Sequence, residues 1–333
     1  MPELEKTILK AIEHELAATV NSGTDGIYSG LGEIFHYQMG WETAAKGTTG
    51  KRVRPLLLLL TVNAFGKDWN KALPAAASLE LVHNYSLIHD DIEDDSSLRR
   101  GKDTVWVKWG RAQGINTGDA MLNLALATPW GLSKDYSVKM VAEVFKSLQH
   151  WSLELTKGQY LDISFENRDD VSVEDYFEMV EGKTCSLLKA ALEMGGILAE
   201  TDPENIMTLN KCGSLFGRAY QVQDDWLGIW GETAEIGKSN LSDLLERKKS
   251  FPILMGLQNK GEFYKLWNGG RFEDTNIFAL VASLADEGIK ERCENKYLSL
   301  FEQTIDAFGS LKCDKANLTH LTNFVESLLM RKF

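Results

Sequence analysis

The chain has 333 residues, 44% hydrophobic and 25% charged, with a net charge of −12. That composition supplies a large core, and the acidic balance argues against non-specific nucleic-acid binding. The cysteines Cys185, Cys212, Cys293 and Cys313 show no CxxC spacing, the N-terminus is amphipathic and not signal-like, and the most apolar run, Pro55–Leu60, is too short to span a bilayer.

The expectation is a soluble cytoplasmic protein with reduced thiols. Leu4, Ile8, Ile12, Leu16 and Val20 recur every fourth residue, which predicts an amphipathic helix at the start of the chain. Further on, Ser172 and Asp175 stand in capping-box spacing ahead of a helix that should close at Gly195-Gly196. Thr201 and Glu204 repeat that spacing, with Pro203 in the first turn. The segment "TNFVESLLM" reads as a last helix. β-branched alternation of strand length is hard to find, and no Pro/Ser/Gly linker divides the chain. The prediction is all-α, one bundle-like domain over 1–333.

Chemistry concentrates in "SLIHDDIEDDSSLRRG", Ser86 to Gly101. Asp90 and Asp94 are four apart, as are Asp91 and Asp95, so each pair shares a helix face and repels. Acids at a helix C-terminus also oppose the macrodipole, so the run needs a compensating partner. A solvated helix end is the plain alternative. Against it stands a second acidic pair, Asp224 and Asp225 in "YQVQDDWLGIWG", which also ends an apolar helix. Two all-oxygen clusters facing each other across a bundle suit Mg²⁺ held by carboxylates and phosphate oxygens, and a near absence of His and Cys argues against zinc. Arg99, Arg100, Lys238, Lys248 and Lys249 then make sense as diphosphate ligands. "GKRVRP" adds Lys51, Arg52 and Arg54, with no Walker spacing. At about 100° per residue, His83, Asp90 and Asp94 share one helical stripe.

In this order the motifs resemble the trans-isoprenyl diphosphate synthases, or polyprenyl synthetases, from about Gly50 to Pro252. "GKRVRP", the DDxxD-like run with its trailing "RRG", "GKT" at Gly182 to Thr184, "YQVQDDWLGIWG" and "DLLERKKSFP" carry the likeness. The resemblance implies an all-α single-domain bundle around a deep central cavity, the isoprenoid synthase fold, and a homodimer. It implies head-to-tail condensation of isopentenyl diphosphate with an allylic diphosphate, dependent on Mg²⁺. Asp90, Asp91 and Asp94 would hold metal against the allylic diphosphate, and Asp224 and Asp225 would hold metal from the opposite helix. Arg99, Lys183 and Lys238 would contact the allylic diphosphate, while Lys51, Arg54, His83 and Arg100 would bind isopentenyl diphosphate. Lys248 joins the substrate-binding set, and Thr184 and Gln221 would lie beside the reacting carbons.

Two positions depart from the family pattern. Gly228 stands where the second motif commonly has a third Asp, and Trp106 falls near a common His, where packing is the expected role. Chain length is read at Tyr85 and Ser86. Tyr85 lies about 7.5 Å before Asp90 along the helix at 1.5 Å per residue, and a bulky aromatic there resembles the floor of geranylgeranyl diphosphate synthases. Simple periodicity sets Tyr85 about 140° from Asp90, so the alternative is plain core. Farnesyl or longer polyprenyl diphosphates are the alternative products. A class I terpene cyclase would lack the Lys51, Arg54 and His83 set, and a non-catalytic subunit would be expected to lose the first acidic motif.

Overall fold

The computed structural model describes residues 2–42, 50–231, 242–245, 247–269 and 274–330. Helices dominate these residues. The first compact unit comprises Met1–Ser152, Lys189–Asn210 and Lys312–Leu321, and the second comprises Leu153–Leu188, Lys211–Leu311 and Thr322–Phe333.

In the first unit, α1 (Glu3–Gly23) buries Ile8, Ile12, Leu16 and Val20, the stripe read from the four-residue step. After α2 (Ser29–Met39), α3 (Val53–Ala64) is buried all round, with Leu56 to Leu60 each 0% exposed. Each such side chain contributes roughly 2 kcal/mol of burial, which fixes the helix that "GKRVRP" starts. α4 (Leu73–Glu93) begins on Pro74 and packs on α1, on α3 and most extensively on α6 (Arg111–Ala127), where Ser78 Oγ donates to Ala125 O at 2.7 Å. Glu193 of α9 (Ser186–Leu198) accepts from Ser147 and Asn210, both at 2.6 Å. Those two donors lie on α7 (Val138–Phe165) and α10 (Pro203–Trp230).

One departure from the all-helical expectation is a two-residue ladder. Leu98–Arg99 pairs antiparallel with Lys102–Asp103. The turn residues Arg100 and Gly101 both have positive φ, 53° and 73°, the geometry that matches the twist of a tight hairpin. Between it and α6 lies the single-turn α5 (Val105–Trp109).

In the second unit, α8 (Val173–Val180) starts on the Ser172/Asp175 capping box that the spacing predicts. A π-turn over Glu181–Cys185 follows before α9, which runs past Gly195-Gly196 to Leu198. At α10, Asp202 and not Thr201 is the cap, accepting from Asn205 N at 2.8 Å. Pro203 occupies the first helical position, which moves the cap one residue later than the spacing suggests. α11 (Phe251–Asn259) packs on α8 and on α14 (Ile289–Gly309), and α12 (Glu262–Asn268) packs on α11 and α13 (Asp274–Asp286). The segment "TNFVESLLM" lies, up to Leu329, on α15 (Lys315–Leu329), where Leu329 O accepts from buried Gln223 Nε2 at 2.7 Å and from Tyr297 Oη. The C-terminal helices thereby anchor α10 just ahead of Asp224.

Among the described residues no helix is long and apolar enough to cross a membrane. All four cysteines are free, and burial pushes the Cys212 and Cys293 thiols up to about 12.

Candidate active site

Within the first unit the acidic run closes α4. Asp90, half-buried, and Asp91, 2% exposed, sit on its last turn, and Asp94 is the C-cap. Asp95 turns out of the helix at φ 50°, so the Asp91/Asp95 spacing is no longer a helical pair. The compensating cations are present. Arg99 Nε donates to Asp91 Oδ1 at 2.8 Å, and its Nη2 to Asp90 Oδ2 at 3.4 Å. Arg111 pairs with Asp95 and donates to Ile92 O, meeting the negative end of the helix. The hairpin explains how Arg99 reaches back to carboxylates eight and nine residues earlier. Trp106 packs as expected: its Nε1 donates to Ser96 O at 2.9 Å, and Arg111 lies 4.5 Å over its ring.

The basic residues gather around His83. Burial first, then the charges of Arg54, Arg100, Arg99 and Arg52, push its pKa well below the usual 6.5, so the ring is neutral. Gly50 lies against Arg100: a Cβ there would stand 2.9 Å from Nη2. "GKRVRP" and "RRG", fifty residues apart, therefore meet through a glycine's missing side chain. Lys51 is exposed beside this group. Arg52, which sequence reasoning did not separate from its neighbours, is instead 3% exposed, with Glu13, Glu80 and Met39 O as acceptors. Tyr85 is 8% exposed, its ring 5.9 Å from His89 in an edge contact, and Ser86 Oγ bonds His83 O. His89 Nε2 meets Ile115 O of α6 at 3.2 Å. The Tyr85–His89 face of α4 is thus the one turned to α6.

The second unit carries "GKT" in the π-turn, a form often found at functional sites. The turn is pressed onto α7: a Cβ on Gly158 would lie 2.0 Å from Lys183 N. Lys183 pairs with Asp162, and Thr184 Oγ1 donates to Gln221 Oε1 at 2.6 Å. Gln221 Nε2 donates in turn to Asp225 Oδ1 at 2.9 Å. Asp225, 6% exposed, also accepts at Oδ2 from Tyr176 Oη at 2.7 Å and Phe251 N at 2.8 Å. Burial, then the Asp225 charge, holds the Tyr176 phenol protonated as that donor. Asp224, Gly228 and Lys248 are half-buried. Lys238 lies outside the described residues. The partners Asp162 and Tyr176 belong to no motif, and Phe251 N, near the end of "DLLERKKSFP", was not singled out by sequence reading.

Among the described residues no three His, Cys, Asp or Glu side chains form a ready metal cage. Mg²⁺ keeps several waters and takes only one or two carboxylates with phosphate oxygens, so none is required. Asp90 and Asp94, one turn apart at a helix end and half-buried, offer hard oxygen donors of that kind. The residues fit Mg²⁺ arriving with a diphosphate.

Residues 41–277 match the family model for polyprenyl synthetase. A (2E,6E)-farnesyl diphosphate synthase of Mycobacterium bovis is 32% identical over 321 residues, 95% of this chain and 85% of the relative. A geranylgeranyl diphosphate synthase of Methanosarcina mazei is 33% identical over 85% of this chain and 86% of the relative. A solved geranylgeranyl pyrophosphate synthase superposes with a TM-score of 0.89 at 31% identity, covering 100% of both chains.

Proposed function

The chain belongs to the polyprenyl synthetase family, and on that premise we propose that it condenses isopentenyl diphosphate head-to-tail with allylic diphosphates, giving geranylgeranyl diphosphate. It is a prenyltransferase with an all-α fold. The observation that carries the two-substrate reading is the neutral His83 among Arg54, Arg100 and Arg99, with Gly50 against Arg100. A terpene cyclase has no second diphosphate to place there.

In the proposed reaction, Lys51, Arg54, His83 and Arg100 bind the diphosphate of isopentenyl diphosphate. Arg99, Lys183, Lys238 and Lys248 neutralise the allylic diphosphate as its bond to C1 breaks and the electron pair leaves on oxygen. Carboxylates among Asp90, Asp91, Asp94 and Asp224 would hold Mg²⁺, which would supply further positive charge at that leaving group. The isopentenyl double bond attacks the allylic C1, and the resulting cation loses a proton to the departing diphosphate. Thr184 and Gln221 lie beside the reacting carbons.

Tyr85 with Ser86 supports the twenty-carbon product, because the bulky ring is buried on the α4 face turned to α6. The farnesyl diphosphate synthase relative, matched over 95% of this chain, keeps the fifteen-carbon product as a second reading. The reading takes 1–333 as one synthase domain working as a cytoplasmic homodimer. The test is incubation of the purified protein, alone, with isopentenyl diphosphate, Mg²⁺ and five-, ten- or fifteen-carbon allylic primers, followed by dephosphorylation and chain-length analysis. A dominant twenty-carbon alcohol is expected. A fifteen-carbon end product selects the second reading, and no product from any primer overturns the activity.

A further inference from the structure

Asp225 stands beside Asp224 in the second acidic motif, yet its surroundings differ from those of a metal ligand. Asp225 is 6% exposed, and its carboxylate accepts from Tyr176 Oη and Phe251 N on Oδ2 and from Gln221 Nε2 on Oδ1. These come from α8, from the first residue of α11, and from one turn earlier on α10. We infer that Asp225 is a positioning residue, which fixes the amide of Gln221 and through it the hydroxyl of Thr184, and that it does not hold the metal.

Both carboxylate oxygens of Asp225 act as acceptors. Facing Asp225, Gln221 can therefore present only its NH₂ group, and its Oε1 must point the other way. Thr184 Oγ1 lies 2.6 Å from that oxygen and has to donate to it. The chain Thr184 to Gln221 to Asp225 thus has one polarity, set at its buried end. Tyr176 and Phe251 N hold that end still. The hydroxyl lone pairs of Thr184 and the second amide proton of Gln221 are left in defined directions. Such defined directions are what a developing cation and its departing diphosphate need from neutral dipoles.

Asp225→Asn reverses this logic at nearly constant shape. The Asn amide keeps its oxygen toward Tyr176 and Phe251 N and turns its NH₂ to Gln221. Gln221 must then flip, and Thr184 must accept where it donated.

The inference rests on the reading that Thr184 and Gln221 flank the reacting carbons. Wild-type turnover of isopentenyl diphosphate with a primer, run in the same assay, tests that reading separately. The comparison uses Asp225→Asn, Gln221→Met and the double variant. Each is assayed for kcat, both KM values, half-saturating Mg²⁺, melting temperature, and calorimetric Mg²⁺ affinity beside an unreactive thiolodiphosphate analogue. The expected results are a roughly 10²-fold fall in kcat for Asp225→Asn, Mg²⁺ half-saturation and affinity within about threefold of wild type, and a double variant no slower than Gln221→Met, because the effects share one route. A tenfold or larger loss of Mg²⁺ affinity makes Asp225 a metal ligand and overturns the inference, as does wild-type kcat or multiplication of the two losses. Should Asp225→Asn not fold, the exchanged pair Gln221→Glu/Asp225→Asn restores an acceptor opposite every donor at unchanged net charge. Its Mg²⁺ affinity decides the question by the same criterion.

Discussion

Arg52 Nη1 donates to Glu80 Oε1 at 2.9 Å, with the two side chains 1% and 5% exposed. Burial alone would lower the guanidinium pKa, but the Glu80 and Glu13 carboxylates more than offset it. The pair ties the N-cap of α3 to the middle of α4. Lys51 and Arg54, on either side of Arg52, are therefore carried on a fixed backbone.

Removing one member of a buried pair leaves the other charge uncompensated, at a cost of about 3–5 kcal/mol. Arg52→Ala and Glu80→Ala should each lower urea-unfolding stability by that order. Loss of less than about 1 kcal/mol in both would show that the pair contributes little to holding α3 on α4.

His83 makes stability depend on pH. Its folded pKa lies well below the ordinary 6.5, so between those values the unfolded chain binds a proton that the native one refuses. Stability is full above about pH 6.5 and falls as pH drops, by up to about 1.4 kcal/mol per unit. His83→Gln should flatten the pH dependence of unfolding free energy between about pH 6.5 and 5. Equal slopes in the two proteins would mean that His83 keeps its ordinary pKa in the native state.

Asp90 and Asp91 should separate in stability while agreeing in activity. Either change to Asn should lower turnover roughly 10²–10³-fold. Asp91, 2% exposed and held by Arg99 at 2.8 Å, should also lose melting temperature on that change. Asp90, half-buried with Arg99 at 3.4 Å, should not. Wild-type turnover at saturating Mg²⁺ in either variant would remove the acidic run from the mechanism.

Tyr85→Ala should lengthen the product. The ring is 8% exposed and braced on His89, and its loss opens space beside α6 five residues before the acidic run. Products beyond twenty carbons are expected by reversed-phase analysis. An unchanged distribution would identify Tyr85 as core and leave the twenty-carbon reading without its main support.

The sequence by itself determined what short-range periodicity and spacing encode. The four-residue step of Ile8, Ile12, Leu16 and Val20, the Ser172/Asp175 cap and the acidic helix end all follow from local geometry. The motifs, in order, identified the family. Tertiary structure decided which member of each motif faces where. Nothing in "KRVR" distinguishes buried Arg52 from exposed Lys51 until Glu13 and Glu80 arrive from other helices. Nothing in "DD" separates Asp225 from Asp224 until Tyr176 and Phe251 N close on one carboxylate. Such partners lie far away in sequence, and the desolvation that makes them matter exists only once the helices are packed.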